Sequence, residues 1–114
     1  MKLVIIESPF AGQIERNILY GRRCVSHSLH KGEAPIASHL LYTQHGVLND
    51  NIPIERRLGM EAGWEWYRKA ELCAVYTDYG VSNGMKQGID IAKKLNIPVE
   101  LRNIGENVVT PWPA

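Results

Sequence analysis

Four short apolar runs, residues 3–6, 34–41, 72–76 and 99–104, alternate with three segments of helical spacing. This β-α-β-α-β-α-β order constrains the fold more than any other feature of the chain. Parallel strands need a crossover of a dozen or more residues, and a helix is the usual one. The order therefore predicts an α/β fold: a three-layer sandwich whose central parallel sheet has about four strands, with helices on both faces. The first and third runs are continuously apolar, which suits strands covered on both sides. Pro35 is tolerable only at the start of the second strand or on a sheet edge.

The helical segments have readable faces. Ile14, Ile18, Val25 and Leu29 fall near one side of the first, which closes with His30-Lys31-Gly32, cations and then glycine. Ile52-Pro53-Ile54 opens the second, with proline in its first turn. Ile54, Leu58, Ala62 and Trp66 repeat every four residues there and predict an apolar face in a helix reaching residue 69 or 70. In the third, Met85, Ile89, Ala92 and Leu95 form the apolar face and Ser82 is the expected N-cap. A long polar loop, residues 42–51, precedes the second helix, and loops of that length in small domains are often functional. Residues 105–114 read as an irregular tail whose Trp112 docks on the body or on a neighbouring subunit.

With 114 residues the chain reads as a single domain, residues 1–114. A net charge of +1 with scattered Lys and Arg gives no basic stripe for a nucleic-acid polymer. No apolar run approaches the roughly 20 residues that span a membrane, and the apolar run at the N-terminus is too short for a signal peptide. Cys24 and Cys73 lie far apart in apolar contexts and read as reduced core residues of a cytoplasmic protein. His27, His30, His39 and His45 have no close metal spacing beside a Cys or acid, so neither metal nor cofactor is expected.

Asp78, Tyr79, Gly80, Ser82, Asn83, Gly84 and Met85 lie between the third strand and the third helix. Open α/β sheets bind ligands at the carboxyl ends of their strands, where helix N-termini offer free N–H groups. Asp78 either closes the turn by accepting backbone N–H bonds or receives ligand hydroxyls. Ser82, Asn83 and Gly84 form a helix cap whose geometry also suits an anion. Arg16, in the first turns of the first helix, is either a solvated cation or a neighbour of that anion site. His39, at the end of the second strand, points over the cleft if that strand neighbours the first. Glu7 follows the first strand directly and could reach the same cleft.

The ordered set of Ser8-Pro9-Phe10 after strand one, Asp78-x-Gly80 after strand three, Gly84-Met85 opening a helix with Ala92, and then Pro98-Val99 resembles the nucleoside 2-deoxyribosyltransferase-like superfamily. These are small flavodoxin-like, Rossmann-like proteins, and the likeness is greatest to a group of short proteins common in phages and their hosts. It spans roughly residues 2–104. The resemblance implies that Ser8, Pro9, Phe10 and Ala11 face the loop after strand three with a nucleoside between them, Phe10 standing where a base would stack. It also implies a homo-oligomer, in keeping with three Trp in so small a domain. In the superfamily a Glu on the following helix is the nucleophile, attacking the anomeric carbon of the sugar. Here that position falls at Gly88 or at Lys86, depending on which motif anchors the comparison, and neither is a carboxylate. Asp90 stands about 200° around the helix from Gly88. The string Gly59-Met60-Glu61-Ala62-Gly63 imitates the missing motif but precedes strand three. Glu61 and Glu7 are the fallback carboxylates. The expectation is a nucleoside- or nucleotide-binding protein without a catalytic residue, in a phage setting one that sequesters an ADP-ribose-like immune signal. The alternatives are an N-glycosidic hydrolase or transferase, and an oligomeric interaction protein with a vestigial pocket.

Overall fold

A computed structural model describes residues 1–105, so the expected docking of Trp112 lies outside the described residues. β1 (Leu3–Glu7), β2 (Ala34–Ile36), β3 (Leu72–Tyr76) and β4 (Val99–Arg102) form one parallel sheet in the order β2-β1-β3-β4. α1 (Ile14–His30), α2 (Ser38–Leu41), α3 (Pro53–Trp66) and α4 (Asn83–Lys94) connect the strands, and a 3-10 turn, Tyr67–Lys69, extends α3. The α/β class read from the alternation holds. Pro35 lies in β2, an edge strand where its missing N–H costs no ladder bond.

The inner strands β1 and β3 explain the layering. Side chains alternate across a strand. Val4 and Ile6 join Leu72, Ala74 and Tyr76 on one face, against Tyr20 and Cys24 of α1. Ile5 joins Cys73 and Val75 on the other, against Tyr67 and against Met85 and Ala92 of α4. Cys24 and Cys73 are buried on opposite sides of the sheet and form no disulfide with each other. Asn96, at φ 57°, is the left-handed residue that ends α4 and turns the chain toward β4.

Three expectations need correction. The second strand stops at Ile36, and residues 38–41 coil into α2, so His39 is helical rather than strand-borne. On its β2 side β1 pairs with Ala34, Pro35 and Ile36, and the helical turn then lets Leu40 settle against Gly21 of α1, where a Cβ would lie 3.1 Å from Leu40 Cδ1. The buried face of α1 is Asn17, Tyr20, Gly21, Cys24 and Ser28, while Ile14 and Leu29 are 40% and 52% exposed. On α3 the expected apolar stripe faces outward, with Ile54 79% and Leu58 55% exposed. Its inward contact uses small residues: a Cβ on buried Gly63 would overlap Ser38 Oγ, and one on Gly59 would lie 3.2 Å from Leu48 Cδ1.

The polar face of α1 meets a buried ion pair. Arg102 donates to both carboxylate oxygens of Glu33, at 2.8 and 2.7 Å, and to Tyr76 Oη at 3.0 Å. Ser28 Oγ donates to Glu33 at 2.7 Å, and His27 Nδ1 lies 2.9 Å from Tyr76 Oη. The Arg102 guanidinium holds the Glu33 carboxyl below its usual range. Removing one partner of such a pair strands a buried charge, a loss of about 3–5 kcal/mol. Arg102→Leu is therefore expected to lower the unfolding free energy by about that amount in urea titrations at neutral pH.

Candidate functional site

A cavity of about 360 Å³ opens outside the carboxyl ends of β1 and β3. Those strands flank the point where the strand order reverses, the usual ligand position in open α/β sheets. The exit of β1 supplies Glu7, Ser8, Phe10 and Ala11. The start of α4 supplies Ser82, Asn83, Gly84 and Met85. The two loops that the resemblance paired thus line one pocket, and His39 lines it as well, from α2.

The loop after β3 is divided between two tasks. Its second half caps α4: Ser82 Oγ accepts from Met85 N–H at 3.3 Å, and Met85 Sδ accepts from Ser82 N–H at 3.4 Å. That reciprocal box leaves the first turn of α4 at the pocket wall. Its first half is turned away from the cavity. Asp78 accepts from Tyr20 Oη at 2.5 Å and from the N–H groups of Ile104 and Gly105 at 3.1 and 2.8 Å. Of its two sequence readings, the structure displays the backbone-accepting one. Gly80, at φ 82°, closes a turn by donating to Thr77 O. Tyr79 packs edge-on against Tyr20, and the Arg16 guanidinium stacks 4.0 Å from the Tyr79 ring centre. None of Asp78, Tyr79, Gly80, Arg16 or Pro9 lines the cavity.

α1 fixes the other loop. Asn17, buried at its first turns, donates Nδ2 to Phe10 O at 2.8 Å and to Ala11 O at 3.3 Å. Ser8 Oγ and His39 Nε2 share a 2.7 Å hydrogen bond. Burial pulls the imidazole down to about 4, so His39 is neutral at physiological pH.

The remaining wall was not foreseen as a site. Tyr42, Thr43, Asp50, Glu55, Arg56, Met60, Trp64 and Tyr67 come from the long loop, α3 and the 3-10 turn. The loop's length was the available signal. Arg56 Nη1 and Asp50 Oδ2 pair at 2.7 Å. Glu61 lies off this wall, exposed and paired with Arg57 at 2.7 Å.

Glu7 is the unusual member. Its side chain shares the α4-facing side of β1 with Ile5. There it fills the space that Gly88 leaves free: a Cβ at Gly88 would overlap Glu7 Oε2 and would lie 2.6 Å from Tyr67 Oη. Burial pushes the carboxyl up to about 8. Glu7 is therefore protonated at neutral pH. Cys73, on β3 nearby, is raised to about 12 by burial and then by the Glu7 charge.

Among the described residues, no group of three His, Cys, Asp or Glu could hold a metal ion. Nor is any helix there long and apolar enough to cross a membrane. A family model described as "Domain of unknown function (DUF7768)" matches residues 2–102. No curated protein matches the chain.

The two perturbed groups give opposite pH trends. Glu7 holds its proton in the folded state up to about 8 and gives it up near 4.5 when unfolded, so its contribution is lost as pH rises through that window. His39 stays neutral down to about 4 when folded and is protonated below 6.5 when unfolded, so its contribution is lost as pH falls. Glu7→Gln is expected to abolish the decline between about 4.5 and about 8 and spare the acid one, checked by urea titrations across pH.

Proposed function

This chain belongs to the DUF7768 family, and we propose from its pocket that it binds a nucleoside- or nucleotide-derived small molecule without turning it over. The observation that carries this reading is the cavity between residues 8–11 and the first turn of α4, at the switch point of the sheet. Its volume of about 360 Å³ sits near the lower end of the roughly 300–1,000 Å³ typical of small-molecule pockets. That is room for a nucleoside, and the phosphate or second sugar of an ADP-ribose-like signal would extend outward. Phe10, Tyr42 and Trp64 offer aromatic faces to a base, and the first turn of α4 offers N–H groups without intrahelical partners. This arrangement supports kinship with the nucleoside 2-deoxyribosyltransferase-like proteins and, in a phage setting, sequestration of such a signal in the cytoplasm.

Binding is preferred to N-glycosidic transfer on one ground. A carboxylate nucleophile must be ionised and unengaged, whereas Glu7 is kept protonated at neutral pH, Asp50 is paired with Arg56, Glu55 accepts from the Asn49 N–H, and Glu61 lies outside the pocket. Self-association belongs to the same proposal, supported by the outward apolar stripe of Ile54 and Leu58 on α3.

Thermal denaturation with nucleosides, mononucleotides and ADP-ribose tests the reading. A true ligand at 100 times its dissociation constant stabilises by about 2.7 kcal/mol and is recovered with its glycosidic bond intact. Phe10→Ala is expected to weaken that binding by about 1–3 kcal/mol, the usual range for loss of a base-stacking aromatic. Absence of stabilisation by every compound, or release of free base, would overturn the proposal.

A further inference from the structure

We infer that the Glu7 carboxyl, seated in the space that Gly88 leaves open, reads the ligand by pairing with an acceptor and an adjacent donor on a heterocyclic base. The inference rests on the proposed nucleoside-type pocket and names the chemical edge that pocket recognises.

The geometry is specific. Glu7 ends β1 and lines the cavity, and its carboxyl lies over the α4 backbone at Gly88 with the Tyr67 hydroxyl alongside. Among the described residues, no hydrogen bond or ion pair engages that carboxyl, although Ser8, next in the chain, is paired with His39. The carboxyl is half-buried and open to the cavity, so whatever enters the cavity can satisfy its polar atoms. A protonated carboxyl carries one O–H donor and one carbonyl acceptor side by side. Adenine and cytosine present the complement, a ring nitrogen beside an amino group. Ionisation would leave two acceptors and set one of them against the ring nitrogen's lone pair. Affinity should therefore fall as pH rises through the Glu7 range.

The titratable neighbours do not confuse that trend. The 3-10 turn presents Tyr67, β3 presents Cys73 and α2 presents His39, while α4 presents Gly88 and Met85, neither of which titrates. Asp50, Glu55 and Arg56 lie on the wall formed by the long loop and α3. His39, at about 4, and Cys73, at about 12, keep their charge across the window in which Glu7 changes.

The test is calorimetric titration of the intact chain with adenosine and with cytidine, whose bases do not titrate between about pH 6 and about pH 9. With Glu7 at about 8, wild-type affinity is expected to drop about tenfold over that interval. Glu7→Gln keeps one donor and one acceptor but cannot ionise, so its affinity is expected to be flat with pH and near the wild-type value at the acid end. Gly88→Ala pushes the carboxyl out of its seat and is expected to weaken binding at both pH values. Wild-type affinity that is flat or strengthens toward alkaline pH overturns the Glu7 inference and leaves the binding site standing. A Gln variant as pH-sensitive as wild type does the same. Failure of the wild type to bind either nucleoside overturns this inference, and failure with every nucleotide probe overturns the binding proposal as well. The wild-type profile decides the matter even where a variant does not fold.

Discussion

The ion pair between Arg102 and Glu33 sits inside the protein, on the α1 side of the sheet, and it sets the character of that side. A buried charge is tolerated only where it is paired and hydrogen-bonded. Glu33 therefore needs Ser28 as well as Arg102, and Arg102 needs Tyr76. Those requirements put hydroxyls, not methyl groups, on the inward face of α1. The same face continues with Tyr20, which anchors Asp78, and Asn17, which holds the carbonyls of Phe10 and Ala11. One helix thus fastens the end of β4, the turn after β3 and the first wall of the pocket. It does so with hydrogen bonds whose directions are fixed, where apolar contacts alone would allow sliding.

That arrangement explains how the chain could be read and where reading stopped. The alternation of runs, the limits of β3 and the Ser82 cap follow from local rules of strand and helix formation, and they are found as expected. The faces of α1 and α3 do not follow from apolar periodicity. On α1 the buried row carries Ser28 for an ion pair formed by residues 69 positions apart, Tyr20 for Asp78, and Asn17 for the carbonyls of Phe10 and Ala11. On α3 the buried position is Gly63, because Ser38 of α2 comes too close for a side chain. Both are tertiary demands, invisible to a single segment. His39 came to the pocket for a different reason than its predicted strand suggested: the strand breaks and the helical turn carries the imidazole there.

The site was partly legible for the same reason. The strand-to-helix loops at the carboxyl edge are placed by topology, so Ser8, Phe10, Ala11 and residues 82–85 could be named from their order alone. Asp78 and Arg16 looked equally suitable by type. Their partners, Tyr20 with the chain after β4 for one and Tyr79 for the other, lie on the far side of the loop. Nothing short of the packed structure distinguishes an acid that braces a turn from one that greets a ligand.

Positions 7 and 88 also share one small volume, and that has an evolutionary consequence. A side chain at 88 needs the glutamate at 7 to leave its present seat, so what 88 can carry depends on residue 7. A relative carrying a larger residue at 88 must first, or simultaneously, shorten or redirect residue 7. Two positions 81 residues apart in the chain are therefore coupled through one small volume. Whatever stands at 88 therefore decides whether a glutamate at 7 keeps this seat.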